Sequence, residues 1–210
     1  MKKILIVVDY QNDFVNPNGV LPVPNATKIK DNIQEMIEND SFDEIIYTMD
    51  THKKEEYETS EEKEIFPNIH CEIGTNGWDL YQISPRRSEI STYMEQRFIE
   101  EGTTEVSINE EHMFVKNKFD IWEGNKTYPE WFQKRFDKNT EIYITGVATN
   151  YCVYFNAIGY IQRGYKNVFL ISECIEGIQT LPTGEEDPTY KSRYVEMIQN
   201  GIKVKNKEEV

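Results

Sequence analysis

Continuous apolar segments that end in polar residues recur along the chain. The first begins at Lys3, contains five aliphatic residues in a row and ends at Asp9. Such runs are typical of the central strands of a parallel sheet, which are buried on both faces. We predict strands at 3–9, 44–50, 141–146 and 167–172, with shorter strands at 112–115 and 202–204.

Segments in which apolar residues recur with helical spacing lie between these runs. They cover about 25–39, 88–101, 127–137, 151–163 and 186–199. Strands that alternate with helices predict an α/β fold in which a mostly parallel sheet carries helices on both faces. A chain of 210 residues suits a single core of this kind. We therefore expect one domain over 1–210.

Composition and charge narrow the classes of partner. The 37 acidic and 23 basic residues give a formal charge of −14, which repels phosphate backbones and anionic lipid surfaces. We therefore expect a small-molecule substrate, with no nucleic-acid and no membrane partner. The chain has no apolar stretch of the roughly 20 residues that a membrane span needs, and it leads directly into a strand, so we expect a cytoplasmic protein. The three cysteines, at irregular spacing, predict free thiols.

Chemically active side chains cluster where the predicted strands end. Asp9, Asp50 and Lys116 each close an apolar run, and the segment 146–152 follows another. In open α/β sheets, ligands bind outside the carboxyl ends of the strands. The positions therefore predict a single site at this edge of the sheet.

Cys152 is the candidate nucleophile of this site. It follows a predicted strand and precedes a predicted helix, and the free N–H groups and dipole of a helix N-terminus lower a thiol pKa from about 8.5. No histidine stands where a Cys–His pair would need one. Asp9 is therefore the candidate base, and Lys116 is the candidate group that stabilises both carboxylate and thiolate. Taken singly, each residue also has an ordinary structural explanation, as a buried apolar side chain, a turn cap or a surface charge.

Five sequence blocks carry a family resemblance: VDYQNDF (8–14), DTH (50–52), HCEIGT (70–75), VKNKF (115–119) and GVATNYCV (146–153). Through them the chain resembles the isochorismatase-like cysteine hydrolases, nicotinamidases included. The resemblance implies a three-layer α-β-α, Rossmann-like fold and a triad of Asp9, Lys116 and Cys152. It also implies a cis peptide between Val147 and Ala148, and an oxyanion hole formed by the N–H groups of Ala148 and Cys152. The implied reaction is hydrolysis of a small amide through a thioester, with nicotinamide as the first candidate.

A divalent metal site is predicted beside this triad. Asp50 and His52 alternate at a strand end, and His70 follows an acidic loop. A carboxylate and two imidazoles suit Zn, Fe or Mn, although a histidine that bonds to a loop acid is the ordinary alternative. The resemblance implies a divalent ion held by an Asp, two His and a third His or Glu. We expect zinc, with Fe or Mn as alternatives.

The fourth metal ligand is less clear, because no histidine fills that position. Glu62 lies eight residues before His70, and some relatives use a Glu at a similar point before a Phe-Pro and His segment. We therefore choose Glu62, and we leave Glu58 and Glu61 open.

Aromatic residues near the motifs are candidates for the walls around a flat pyridine ring; they are Phe14, Phe66, Trp122 and Tyr151. The segment 81–111 is longer than in compact nicotinamidases and carries a predicted extra helix over 89–101. It either covers the pocket or packs against a second subunit, and we expect a homo-oligomer. Asn150 stands where the family more commonly has Asp.

Three other functions remain open at this point. The same triad could act on another amide, such as a carbamoylated amine or a ureido acid, and pocket walls rather than the triad decide that choice. Isochorismate-type vinyl ether hydrolysis belongs to relatives that lack the cysteine, so Cys152 and the Asp50–His52 pair argue against it. A catalytically silent binding protein is disfavoured by the intact triad.

Overall fold

The computed structural model describes residues 1–210 and contains one seven-stranded sheet. The strands are β1 (Lys3–Val8), β2 (Glu44–Asp50), β3 (Glu105–Ile108), β4 (Glu111–Lys116), β5 (Glu141–Val147), β6 (Asn167–Glu176) and β7 (Lys203–Lys205). Their order across the sheet is β3-β4-β2-β1-β5-β6-β7, and all pairs are parallel except β3 with β4. This is the predicted mostly parallel sheet.

Nine α-helices cover the sheet: α1 (Asn12–Val15), α2 (Lys30–Glu38), α3 (Lys54–Tyr57), α4 (Glu61–Ile65), α5 (Ser88–Met94), α6 (Ile121–Gly124), α7 (Tyr128–Arg135), α8 (Cys152–Gln162) and α9 (Thr189–Gln199). A π-helix, Glu95–Glu100, continues α5, and short 3₁₀ helices lie at Ala26–Ile29, Asn76–Trp78 and Lys207–Glu209. None of the helices is both long and apolar enough to cross a membrane.

The two hydrophobic layers follow from the alternation of side chains along each strand. Leu5 and Val7 of β1 pack in a core shared with α2 and α5. Ile4, Ile6 and Val8 face the opposite core, shared with α7 and α8. A central strand that must serve both cores is apolar at every position, which is why β1 is a continuous aliphatic run.

One strand and several strand ends differ from the sequence prediction; β6, for example, continues to Glu176 beyond the predicted end at 172. The strand β3 was not predicted, and it pairs antiparallel with β4 at the edge of the sheet. It is four residues long and only Val106 is buried, so its sequence carries little periodic signal, and its pairing with β4 defines it. The strand predicted at 112–115 extends at both ends, from Glu111 to Lys116.

The long segment 81–111 packs on the sheet rather than on the chemically active edge. The predicted helix over 89–101 appears as α5 with its π-helical continuation, and Ile90, Met94 and Phe98 are buried in the core. None of its residues lines the cavity beside Cys152 described below. Both roles considered for this segment stay predictions.

Gly146 allows the end of β5 to lie close to β1. Its φ is +106°, and a Cβ at this position would lie 2.1 Å from the carbonyl oxygen of Val8. Only glycine combines this backbone conformation with so close an approach. The carboxyl end of β5 is thus held against the centre of the sheet, directly before the segment that leads to Cys152.

Candidate active site and metal centre

The three predicted triad residues meet at the carboxyl edge of the sheet. The register of β2 and β4 places Asp50 beside Lys116, and Asp9 follows β1 on the other side of β2. The Lys116 Nζ lies 2.8 Å from Asp9 Oδ2, 3.0 Å from Asp50 Oδ1 and 3.5 Å from Cys152 Sγ. Lys116 therefore bridges two carboxylates and the thiol, and all four side chains are buried.

Buried charge determines the protonation of the lysine and of Asp9. Burial by itself would lower the pKa of Lys116, but the carboxylates of Asp50 and Asp9 raise it well above its ordinary value. Lys116 is thus a fixed cation. Burial raises the pKa of Asp9 against the opposing effect of Lys116. The Thr48 hydroxyl donates a hydrogen bond of 2.6 Å to Asp9 Oδ1, which fixes the orientation of the carboxylate and by itself lowers its pKa. Burial outweighs this effect, so Asp9 is more basic than an ordinary aspartate.

Cys152 begins α8, as predicted, but its pKa moves in the opposite direction from the prediction. Burial raises the pKa of the thiol well above its ordinary value, Lys116 lowers it, and the carboxylates of Asp9 and Asp50 raise it further. The predicted direction of the thiol pKa was therefore wrong. Helix position alone did not account for full desolvation or for two nearby carboxylates. The resting sulfur is a thiol that needs a base.

The turn before α8 has one unpaired backbone N–H group at each end. The peptide bond between Val147 and Ala148 is cis, as the resemblance implied. The N–H groups of Ala148 and Cys152 donate no hydrogen bond to any backbone or side-chain acceptor. The Ala148 carbonyl, in contrast, accepts from Tyr151 and Val153 at 2.9 and 3.2 Å. The turn is therefore fixed by its carbonyl, and the two donors stay available to a developing oxyanion.

The candidate metal ligands converge beside Lys116. One ligand atom from each of Asp50, His52, Glu62 and His70 lies within 4.8 Å of the others, and all four residues are buried. Asp50 Oδ2 is 3.0 Å from His52 Nε2 and 3.4 Å from His70 Nε2. Glu62 lies 3.5 Å from the same nitrogen of His70 and 3.6 Å from that of His52. Two carboxylates and two imidazoles in this arrangement could hold a divalent metal ion.

The helix α4 explains why Glu62 joins this cluster. The Ser60 side chain caps the N-terminus of the helix. In the orientation that the helix then takes, Glu62 and, one turn later, Phe66 face the interior. Glu58 and Glu61 are exposed, so neither of these two alternatives faces the cluster.

The chemistry of the four donors fits a bound cation. Glu62 Oε2 and His70 Nε2 are buried and have no hydrogen-bond partner, although unpaired buried polar atoms are costly. Burial would lower the pKa of His70, but Asp50 and Glu62 raise it to about 10. Protonation of His70 and binding of a divalent ion are therefore alternative ways to balance the two carboxylates.

A small cavity joins the candidate nucleophile to the candidate metal ligands. It is lined by Cys152 and Ala148, by Glu62 and His70, and by apolar side chains that include three of the four predicted wall residues: Phe14, Phe66 and Tyr151. Its free space is about 10 Å³, which holds about one water molecule. Admission of a ring therefore requires an aromatic wall to move.

Trp122, the fourth predicted wall residue, does not line this cavity. It lies in the opposite core, against Tyr128, Phe132 and Tyr160, and a Cβ on Gly159 would lie 2.3 Å from its ring. Phe119, which was not among the predicted wall residues, is a fourth aromatic residue that lines the cavity, and it also faces an outer groove of about 450 Å³.

Sequence reasoning missed three residues of this edge. Phe119 stands at the end of the VKNKF block, so the motif itself could have identified it. Thr48 is a polar residue inside the buried apolar strand β2, a pattern that marks a group with a specific partner. Asp187, whose carboxylate accepts a hydrogen bond from the Tyr151 hydroxyl, has no motif and could be found only in the folded chain.

Comparisons with known proteins agree with this geometry. Residues 3–182 match the sequence profile of the isochorismatase domain. The chain belongs to the isochorismatase family. The nicotinamidase of Saccharomyces cerevisiae is 28% identical over 199 residues, which cover 80% of this chain and 86% of that protein. The nicotinamidase of Schizosaccharomyces pombe is 23% identical over 210 residues, with 92% of this chain and 91% of that protein covered.

Solved structures of other proteins share the architecture of this chain. The pyrazinamidase of Pyrococcus horikoshii, solved in complex with zinc, superposes with a TM-score of 0.70 at 24% identity. The alignment covers 98% of this chain and 99% of the archaeal one. The predicted three-layer, mostly parallel α/β fold of the isochorismatase-like hydrolases is confirmed.

Proposed function

We propose that the protein is a cysteine amidohydrolase that converts nicotinamide to nicotinate and ammonia. One observation carries the proposal: a single cavity is lined by Cys152 with the free N–H of Ala148, and also by Glu62 and His70 of the metal cluster. Nicotinamide presents a carboxamide and a pyridine nitrogen on one flat ring, so its two polar groups match the two polar parts of this cavity. The similarity to curated nicotinamidases supports the same substrate.

The acylation half-reaction uses the buried triad. Cys152 Sγ attacks the amide carbonyl carbon while its proton passes to the Asp9 carboxylate, whose raised pKa suits it to accept and return a proton. The N–H groups of Ala148 and Cys152 stabilise the oxyanion, and each such donor contributes about 3 kcal/mol. The C–N bond then breaks, Asp9 returns the proton to the departing nitrogen, and ammonia leaves a thioester.

In the deacylation half-reaction, water replaces Cys152 as the attacking group, and the Cys152 sulfur becomes the leaving group. A water molecule attacks the thioester carbonyl, Asp9 accepts a proton from that water, and the same two N–H groups hold the second oxyanion. Collapse returns the proton from Asp9 to the Cys152 sulfur and releases nicotinic acid, which ionises to nicotinate by losing its proton to water. Throughout, Lys116 stays charged because Asp9 and Asp50 surround it, so it offsets the negative charge that alternates between carboxylate and sulfur.

The metal ligands in this proposal are Asp50, His52, Glu62 and His70, and zinc suits their nitrogen and oxygen donors. A bound ion would supply a Lewis-acidic centre for the pyridine nitrogen, and the residues that hold it would thereby direct the carboxamide toward Cys152. Phe14, Phe66 and Tyr151 provide the flat apolar walls. Phe119 lies between the cavity and the outer groove, so its side chain is the wall that we expect to move when the ring enters.

Ammonia release from a panel of small amides tests this function. The panel contains nicotinamide, pyrazinamide, a ureido acid and a carbamoylated amine, each assayed on chelator-treated protein with and without added Zn²⁺. We expect turnover of nicotinamide with added Zn²⁺ and a loss of at least about 100-fold in kcat in Cys152→Ala. Trapping of a covalent adduct on Cys152 by mass spectrometry identifies the thioester.

The same panel separates the alternatives. Turnover of a ureido acid or a carbamoylated amine in preference to nicotinamide would keep the triad and replace the substrate. Full nicotinamide turnover in Cys152→Ala would overturn the mechanism. Equal activity with and without metal in chelator-treated protein would overturn the role of the metal cluster.

A further inference from the structure

A buried carboxylate outside the candidate triad accepts hydrogen bonds from the turn that carries Cys152. Asp187 precedes α9 and is 2% exposed. Its Oδ2 accepts hydrogen bonds from the Tyr151 hydroxyl at 2.7 Å and from Asn150 Nδ2 at 3.1 Å. Its Oδ1 accepts from the backbone N–H and the hydroxyl of Thr189 at 2.8 and 2.7 Å. Both oxygens are thus fully used, and one of them faces only the two residues before the nucleophile.

The contacts of residue 150 require an amide side chain, which both donates and accepts hydrogen bonds. Its Nδ2 donates to Asp187 and also to the Ile178 carbonyl at 3.0 Å, and its Oδ1 accepts from the Ile178 N–H at 2.9 Å. An aspartate at this position could not donate, and it would place a second buried carboxylate about 3.1 Å from the first. Like charges at such a distance disfavour each other strongly. Asn150 and Asp187 are therefore a matched pair of donor and acceptor.

The helix α9 adds a second attachment to the same turn. Arg193 Nη1 donates to the Asn150 carbonyl at 2.7 Å. Its guanidinium carbon lies 5.1 Å from the centre of the Tyr151 ring and 4.9 Å from that of Phe155, distances at which a cation attracts an aromatic face. The C-terminal part of the chain thus holds the backbone of Asn150 and both ends of the Tyr151 side chain.

Movement of this turn would reach the reacting atoms directly. Tyr151 is bonded to Cys152, and its ring lines the cavity. The free N–H of Cys152 begins α8 one residue later. Burial and the Asp187 hydrogen bond raise the pKa of Tyr151, so its hydroxyl remains a donor. An error of about 1 Å in the position of a reacting group can cost about 100-fold in rate.

We propose that Asp187 is a positioning residue for the reaction, which holds Asn150 and Tyr151 so that Cys152 and its N–H keep their places. The proposal rests on the function proposed above. It extends the site to a residue outside the segment that matches the isochorismatase domain, which ends at residue 182.

The test compares Asp187→Asn with Glu186→Gln. The first variant keeps the side-chain shape but turns one acceptor into a donor. The second removes the same charge from the neighbouring, exposed position. We expect Asp187→Asn to lower kcat for nicotinamide by about 10-fold or more with a smaller change in KM, and Glu186→Gln to stay within about twofold of the wild type. Tyr151→Phe, which removes only the hydroxyl donor, should lower kcat in the same direction and serves if Asp187→Asn does not fold.

The effect of Asp187→Asn on kcat should change sign when residue 150 is also changed, and this reversal distinguishes positioning from simple loss of stability. Asn150→Asp should lower kcat because two carboxylates then face each other, and adding Asp187→Asn to it should raise kcat again. Thermal melts ensure that each variant is folded at the assay temperature. The proposal is wrong if folded Asp187→Asn keeps the wild-type kcat, or if Asp187→Asn lowers kcat equally in both backgrounds.

Alkylation of Cys152 by iodoacetamide, followed by mass spectrometry, separates this proposal from the proposed function. A loosened turn should expose the buried thiol, so Asp187→Asn should react faster than the wild type, and Asn150→Asp with Asp187→Asn should react more slowly than Asn150→Asp alone. If the protein hydrolyses none of the amides but the alkylation rates follow this order, positioning holds and the substrate assignment fails. If alkylation is the same in all folded variants, positioning is wrong.

Discussion

Replacement of Lys116 by methionine is the most informative stability test of the candidate site. The lysine is 1% exposed, and its Nζ lies 2.8 and 3.0 Å from the carboxylates of Asp9 and Asp50. Methionine fills a similar volume but leaves both carboxylates buried without their cation. Removal of one partner from a buried ion pair costs about 3–5 kcal/mol. We expect Lys116→Met to lower the free energy of unfolding by about that amount, reduced where Asp9 takes up a proton.

Urea unfolding at pH 7 with a chelator present measures this loss. The chelator matters because a metal ion on Asp50 would replace part of the missing positive charge. Lys118→Met is the control, because Lys118 is 59% exposed and pairs with an exposed glutamate, and such a pair contributes about 0–1 kcal/mol. Addition of Asp9→Asn to Lys116→Met should recover part of the stability, since it removes one uncompensated charge and keeps an acceptor for Thr48. A loss below about 1 kcal/mol in Lys116→Met, or no recovery in the double variant, would refute this account of the buried charges.

Two further predictions concern the metal cluster and the opposite end of the sheet. Glu62→Gln should weaken Zn²⁺ binding by about 10-fold or more in a competition titration with a chromophoric chelator. Glu61→Gln, on the exposed side of α4, is the control and should bind Zn²⁺ as the wild type does. Equal affinities of the two variants would exclude Glu62 as a ligand. At Glu44, burial by itself would raise the pKa of the carboxyl, but hydrogen bonds from His112, Lys2 and Arg135 outweigh this effect and lower it from its ordinary 4.5 to about 2. The carboxylate therefore stabilises the fold above pH 4.5, and this contribution is lost as the pH falls toward 2. Because Lys2 and Arg135 are partly exposed, although His112 is buried, the loss should be about 2 kcal/mol. Urea unfolding of wild type and Glu44→Gln between pH 6 and 3 should show a steeper decline in the wild type; parallel curves would contradict the assignment.

The regular part of the fold could be read from hydrophobic pattern because burial on both faces leaves a strong local signal. The strands β1, β2, β5 and β6 appear where continuous apolar runs predict them, and α8 begins where Cys152 was placed. The edge strand β3 could not be predicted this way. It is short, mostly unburied, and defined by its pairing with β4, so its cause lies in another segment of the chain.

The candidate site was predictable as a set of residues, but not in its electrostatics. Strand-end positions and the family motifs indicated Asp9, Lys116 and Cys152, and they are close together in the structure. The direction of the Cys152 pKa was predicted wrongly, because helix position is a local property, whereas desolvation and the carboxylates of Asp9 and Asp50 come from segments far from Cys152 in the sequence.

The aromatic residues illustrate the same limit. Trp122 and Phe119 lie three residues apart in sequence, yet Phe119 lines the cavity and Trp122 packs in the opposite core. Their surroundings depend on how the chain turns after β4, and residue type does not encode that turn.

The amino-acid sequence alone dictates the alternation of strands and helices and the identity of the residues that close each strand. Both are local: a run of aliphatic residues is buried wherever it lies, and parallel strands bring their carboxyl ends to one edge. The folded chain establishes which glutamate faces His52 and His70, which aromatic rings line the cavity, and that burial and two carboxylates raise the pKa of Cys152. It also decided that Asp187, 35 residues after Cys152, supports the turn before the nucleophile. These are properties of distance and desolvation between segments far apart in the chain, and they exist only once the sheet has formed.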